Sequence, residues 1–287
     1  MKYQFIKQHH CSMATKDLCR LLNVSRSAYY RWQNTGMSKR EQSNQALVPL
    51  IQQFHRQSRG TYGSPRICKA LQQQGIVCSR NRIARIMRKV GIRAKTIRRF
   101  KVTTRSAVGR LIAPDLVQRN FTADKPNHIW TSDVTYVWTR QGWAYLAVVL
   151  DLFSRMIVGW EISSRLSTSL VTQAVKRALF WRTPTEHLIL HSDRGSQYTS
   201  DQMRLFAKEH NIQLSMGNTG SCYDNAVTES FFHTLKTEHV SFQHFDTRLE
   251  ARTSIFDYIE SFYNQHRLHS SIGYRSPMQY ELASVMT

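Results

Sequence analysis

The sequence predicts an α/β fold: a mixed-sheet core preceded by a basic, all-α, helix-turn-helix-like front. Three observations lead there. Apolar runs rich in β-branched and aromatic residues, at about 128–139, 143–152 and 156–163, are joined by the tight turns RQG and FSR, as in an antiparallel meander. After them helical and extended patterns alternate, as a mixed sheet with crossover helices requires. Charge is also split along the chain. Residues 1–110 hold 24 Lys and Arg against only Asp17 and Glu41, whereas residues 111–287 hold 16 against 17 acids. The formal surplus of +21 therefore lies in the front, the footprint of a protein that holds a polyanion there.

In order along the chain, TKDLCRLLN predicts a helix, Val24 a turn, and Ser25 the cap of a second helix through SAYYRWQ. The polar stretch NTGMSKREQSNQ reads as a linker. A second unit follows: helix SPRICKALQQQ, a turn at Gly75, Ser79 as cap, helix RNRIARIMRKV, and Gly91 as its stop. Ile83, Met87 and Val90 fall on one face, so that helix can pack while presenting Arg82, Arg85 and Lys89, as a recognition helix must. From Arg80 to Arg110 there are 12 Lys and Arg and no acid. This segment reads either as an arm that tracks phosphates or as a basic interdomain linker, and the two are compatible. The candidate DNA contacts in the front are Arg80, Arg82, Arg85, Arg88, Lys89, Arg98 and Arg99.

Behind the meander the pattern predicts a helix at about 167–182, a strand at 187–192, a helix at 199–210 and a strand at 212–216. A Gly/Asn/Ser-rich loop, 217–224, leads into a helix within DNAVTESFFHTLKTEHV. The expected division is a helix-turn-helix-like unit and linker (1–42), a second such unit with its basic arm (43–110), the core (120–240) and a helical tail (241–287). The five cysteines are odd in number and scattered without a CxxC pair, which argues for a reducing compartment and against a zinc site. MKYQFIKQHH has no apolar leader segment, and the longest apolar run, WAYLAVVL, is too short to span a bilayer. A soluble cytoplasmic protein, associated with the nucleoid, is the expectation.

Three carboxylates stand in three differently built contexts. Asp133 interrupts the strand-like run HIWTSDVTYVW, Asp193 follows the strand-like HLILHS, and Glu229 sits on the helix after the loop. An unpaired charge in or beside an apolar strand is costly without a compensating cation. Carboxylates delivered from separate elements can gather divalent metal for phosphodiester chemistry, although among 19 acids any chosen trio needs more than its presence to be meaningful. Asp151, before the FSR turn, and Asp224, before the Glu229 helix, read better as a turn former and a helix cap. His191 reads equally as a satisfied strand-end residue or a site residue. Arg267 and His269 either meet DNA or tie the tail to the core.

At these residues the chain resembles the ribonuclease-H-like Asp-Asp-Glu recombinases, and among them the transposases of bacterial insertion sequences related to retroviral integrases. WTSDVTY, HSDRGSQYTS and CYDNAVTESFFHTLKTE resemble the family's three catalytic blocks. Tyr263, Asn264, Arg267, His269, Pro277 and Tyr280 resemble its tail motif, and residues 61–95 its second helix-turn-helix. Tyr223, Ile272 and Ser276 depart from the usual Trp, Leu and Thr, and no His-His-Cys-Cys zinc module is present. The resemblance implies that Asp133, Asp193 and Glu229 are the catalytic metal ligands, holding two Mg²⁺ ions for which Mn²⁺ substitutes. It implies DNA partners, the terminal inverted repeats of the element and a target, bound by a homo-oligomer. It also implies that His233 and Lys236, one and two turns beyond Glu229, touch DNA, and that family members are often made fused to an upstream reading frame. A regulator that binds DNA without catalysis is the competing reading. Retention of all three carboxylates and of Lys236 favours the enzyme, and the basic front disfavours a glycosidase, which also needs paired carboxylates.

Overall fold

The computed structural model describes residues 1–34, 37–95, 113–184, 187–217 and 225–285. The front contains six helices: α1 (Lys2–His9), α2 (Thr15–Leu21), α3 (Arg26–Asn34), α4 (Lys39–Gln57), α5 (Ser64–Gln73) and α6 (Arg80–Lys89). The first three enclose a small core of Ile6, Leu18, Cys19 and Tyr29. In the second unit the Ser79 side chain accepts from the backbone N–H of Arg82, capping α6 as the sequence predicts. Gly91, at φ +75°, takes the left-handed conformation that stops that helix.

Two expectations fail here. The stretch read as a linker is the first half of α4, started by a Ser38 hydroxyl that accepts from the Glu41 N–H. Val90 lies exposed at the end of α6, whose packed face is Ile83, Ile86 and Met87. Helix α1 has no counterpart in the sequence reading. Cys68 and Cys78 are free thiols whose sulfurs approach to 3.7 Å inside the second unit.

The meander forms as read: β1 (Ile129–Thr139), β2 (Gly142–Asp151) and β3 (Ile157–Ser163) are antiparallel. Helix α7 (Thr168–Arg182) crosses the sheet and leads to β4 (Ile189–Ser192); α8 (Asp201–Glu209) then leads to β5 (Gln213–Met216). Both late strands run parallel to β1, giving the order β3-β2-β1-β4-β5. Strand β2 is buried on both faces because side chains alternate across the pleat. Leu146, Val148 and Leu150 enter one core, while Ala147 and Val149 enter the other with Val171 and Ala174 of α7 and Phe206 of α8. At Gly159 a Cβ would lie 2.3 Å from the Ala174 carbonyl oxygen, so only glycine lets α7 sit this close to β3.

The first of these cores is roofed by α9 (Ala226–Glu238), α10 (Arg248–Phe256), a π-helical stretch (Asp257–Tyr263) and the segment leading to α11 (Pro277–Val285). Asn264 clips this tail to β3: its side chain accepts from the Ile157 N–H and donates to the Ile157 carbonyl, both at 3.0 Å. The second helical unit joins the same core through Ile67, Leu71 and Ile83. Polar pins reinforce the joint. Tyr62 donates to the His266 carbonyl at 2.9 Å and accepts from the Leu268 N–H at 2.8 Å. Among the described residues no helix is long and apolar enough to cross a membrane.

Candidate active site

Asp133 lies on central strand β1, which pairs with β4 in a register that sets Thr131 beside His191. Two positions further along the same strands, Asp133 and Asp193 therefore fall side by side and on one face, with Asp193 immediately past the end of β4. Each carboxylate has one local backbone donor: Val134 N–H reaches Asp133 at 2.7 Å, and Gly195 N–H reaches Asp193 at 2.9 Å. Glu229 comes from the first turn of α9. The residues just before Asp133 hold the other two elements against it. Asn225 donates to the Ser132 carbonyl at 3.2 Å, Thr228 donates to the Thr131 hydroxyl at 2.7 Å, and the Ser132 and Tyr198 hydroxyls are 2.8 Å apart.

The electrostatics show that these carboxyl groups share one neighbourhood. Burial pushes Asp133 well above the usual carboxylate range, and the charges of Asp193 and Glu229 push it further, against the Val134 hydrogen bond and the Lys236 ammonium. Asp193 is raised by burial against the Gly195 hydrogen bond. Glu229 is raised by burial and by Asp193. Burial and the same two aspartates hold the Tyr198 phenol far above its ordinary value. Lys236 sits 4.8 Å from the centre of the Tyr136 ring, with its pKa lowered by burial while Asp133 opposes that shift. Among the described residues no group of three His, Cys, Asp or Glu side chains is yet close enough to enclose a metal ion. The donor set nevertheless suits a hard divalent cation: three oxygen ligands, partly buried, mutually repelling, with only one lysine opposing them.

Other candidates fall elsewhere. His233 is exposed on α9. Arg80, Arg85 and Arg88 are exposed on α6, but Arg82 donates to Asn44 at 2.8 Å and Ser43 at 2.7 Å, and Lys89 pairs with Glu41, so α4 engages two of the expected DNA contacts. Arg98, Arg99, Asp224 and most of the 217–224 loop lie outside the described residues. Asp151 is fully buried and accepts from Asn127 N–H (2.7 Å) and Phe153 N–H (2.8 Å), a structural use. His191 meets the Ser215 hydroxyl at 2.9 Å, bridging β4 to β5. Arg267 ties the tail to α9 through Glu238, at 2.8 and 2.6 Å. The sequence reading gave no role to Glu238, Thr228 or Tyr198. Tyr198 was within a quoted motif, but only the sheet register brings it to Asp133.

Both the sheet and the arrangement of the tail are those of a ribonuclease-H-like integrase core behind a helix-turn-helix-like domain. Family models agree: the integrase core domain matches residues 123–222 and 229–285, and an HTH-like domain matches residues 42–100. The chain is 40% identical over 283 residues to the transposase InsF for insertion sequence IS3A of Escherichia coli K12, covering 98% of each. It is also 40% identical over 260 residues to an uncharacterized 31 kDa protein of insertion element IS600 from Shigella sonnei, covering 91% of this chain and 96% of that one. Among solved structures, the catalytic core domain of BIV integrase aligns with 56% of this chain and 97% of its own at 21% identity and a TM-score of 0.42. The chain belongs to the insertion-sequence transposase family that includes InsF of IS3.

Proposed function

We propose that this transposase cuts one strand at each end of its element and joins the freed 3′ end to target DNA, in a reaction dependent on Mg²⁺ and supported by Mn²⁺. Asp133, Asp193 and Glu229 would hold the metal, which when bound supplies charge neutralisation on the attacking and leaving oxygens and acidifies water. The observation that carries this reading is the gathering of three carboxyl groups from a strand, a strand end and a helix, each raised by burial and, for Asp133 and Glu229, by its neighbours' charge. Clusters of that kind mark functional sites more often than structural ones. Tyr198 and Thr228 support the site by bracing the elements that bring the carboxylates in. Lys236, coupled to Asp133, is positioned to meet a phosphate of the DNA strand entering the site. The exposed arginines of α6 would hold that DNA.

The test uses labelled duplexes carrying the element's ends, with cleavage and joining followed in Mg²⁺, Mn²⁺ and EDTA. Metal-dependent nicking and joining that vanish in Asp133→Asn, with end binding retained, is the expected result. Binding without any metal-dependent cleavage by the wild-type chain would leave a DNA-binding regulator instead.

A further inference from the structure

On the flank of α9 turned away from Glu229, a cavity of about 300 Å³ opens between the helix, the second helical unit and the tail. Three guanidinium groups line it: Arg66 from α5, Arg155 from the turn between β2 and β3, and Arg267 from the tail. Their convergence is evident at His269, also in the lining, where burial and then the charges of Arg267, Arg66 and Arg155 keep the imidazole neutral. One carboxylate answers them. Glu238 pairs with Arg267 at 2.6 Å and more loosely with Arg66 at 3.4 Å. Asp151 also acts on Arg155, but it sits 3.6 Å from Arg182 and its two oxygens accept backbone N–H groups. The cavity therefore carries surplus positive charge.

Arg155 is the least satisfied member. Its Nη2 donates to the Phe121 carbonyl at 2.9 Å, whereas Nη1 is buried with no hydrogen-bond partner among the described residues. Its backbone, at φ +66°, is in the left-handed region that a residue with a side chain adopts only at a cost, and its N–H is held by the Asp151 carbonyl at 2.8 Å. The turn thus fixes the direction of a side chain whose donors are only partly used. Opposite it, Ala226 and Val227 bring the first turn of α9, where no side chain caps the free N–H groups. The Ser230, Ser270 and Ser271 side chains stand exposed at the mouth. Forked N–H donors, a helix start and hydroxyls around a small opening match a tetrahedral oxyanion, which accepts from all of them at once.

We propose that this cavity is an oxyanion site for a phosphate group, and that in the working protein a backbone phosphate of bound DNA fills it. The assignment to DNA rests on the strand-transfer reading; the anion site itself does not. It would fix the path of the strand on the far flank of the helix that carries Glu229, without contact with the reacting atoms.

The full chain tests this in two assays. Salt titration of binding to an element-end duplex should show the slope of log K against log[salt] falling by about 1 in Arg155→Gln and in Ser271→Asp, as expected when one phosphate contact is lost. Arg155→Lys should recover part of it, and Ser284→Asp, the same charge change on exposed α11, should leave it unchanged. In parallel, thermal unfolding with inorganic phosphate, against chloride at equal ionic strength, reads free anion binding. A fall in slope confined to the cavity variants supports the DNA phosphate. An unchanged slope, with phosphate stabilising the wild type but neither variant, supports the site and assigns it to free phosphate. No response in either assay, or an equal effect of Ser284→Asp, overturns the proposal. Ser271 is exposed, so its variant remains informative if Arg155→Gln fails to fold. Loss of cleavage in Glu229→Gln does not alter either measurement, so the two readings fail separately.

Discussion

At its first turn α9 carries Glu229, whose carboxyl is raised by burial and by Asp193; at its last residue it carries Glu238, which accepts from Arg267 at 2.8 and 2.6 Å and lies 3.4 Å from Arg66. One helix thus holds two carboxylates in opposite company. The first sits among like charges and lacks a matched cation, while the second is enclosed by two guanidinium groups and the Tyr258 hydroxyl. A partly buried carboxylate left among its own kind is costly to the fold and worth retaining only where something else supplies positive charge. A carboxylate enclosed by arginines is already satisfied, and it acts as a joint between the second helical unit, the catalytic helix and the tail.

The largest effect should separate the two ends by function. Glu229→Gln should reduce strand transfer by roughly 10³-fold or more, with end binding and stability nearly unchanged. Simultaneous loss of DNA affinity would erase the distinction between the ends. Glu238→Gln should do the reverse, destabilising the chain by about 3–5 kcal/mol because Arg267 and Arg66 lose their counter-charge inside the protein. Denaturant unfolding measures it, and a cost below about 1 kcal/mol would show that the joint is not needed.

A third expectation sharpens the contrast through pH. Because Asp133 titrates higher in the folded protein than its ordinary value of 3.8, the fold retains a proton that the unfolded chain releases. Its contribution to stability is complete below that ordinary value and is lost as pH rises through the raised folded one. In EDTA the unfolding midpoint should therefore fall across that window, and Asp133→Asn should remove this part of the decline and raise the neutral-pH midpoint. Mg²⁺ should restore stability at neutral pH in the wild type only; equal stabilisation of Asp133→Asn would place the metal elsewhere. The smallest effect belongs to the exposed pair Arg59–Asp257, at 2.6 Å, which also joins the second unit to the tail. Arg59→Ala should cost less than about 1 kcal/mol, since solvent screens both partners.

The meander, the crossover helices and the three carboxylates were legible in the sequence because each is written locally. Alternation marks β1, and Asp133 is conspicuous for breaking its apolar run. Helix α4 was missed because its first half is polar on every side and Pro49 interrupts the second, leaving Leu47 and Ile51 as its buried residues. The signal was present in Ser38-Lys39-Arg40-Glu41, whose first and last members have the spacing of a helix-starting box. The expectation that Val90 packs failed because α6 yields at its last turn to Gly91. The Arg66–Glu238–Arg267 joint could not be read at all. Its members lie 172 and 29 positions apart, and nothing around Glu238 in the sequence distinguishes it from a solvated helix end.

The π-helical stretch between α10 and the tail accommodates one residue more per turn than an α-helix would, with Asn264 N–H reaching back to the Ile259 carbonyl and Arg267 N–H to the Phe262 carbonyl. Loss of any one residue there would let the chain relax into ordinary α-helix, unbroken and still apolar. Everything after it would turn by about 100° relative to α10. Asn264 would leave β3 and Arg267 would leave Glu238, although neither had been substituted. In this segment chain length carries information that residue identity does not, so a deletion screen through 257–263 should find inactive proteins where a substitution screen finds tolerance.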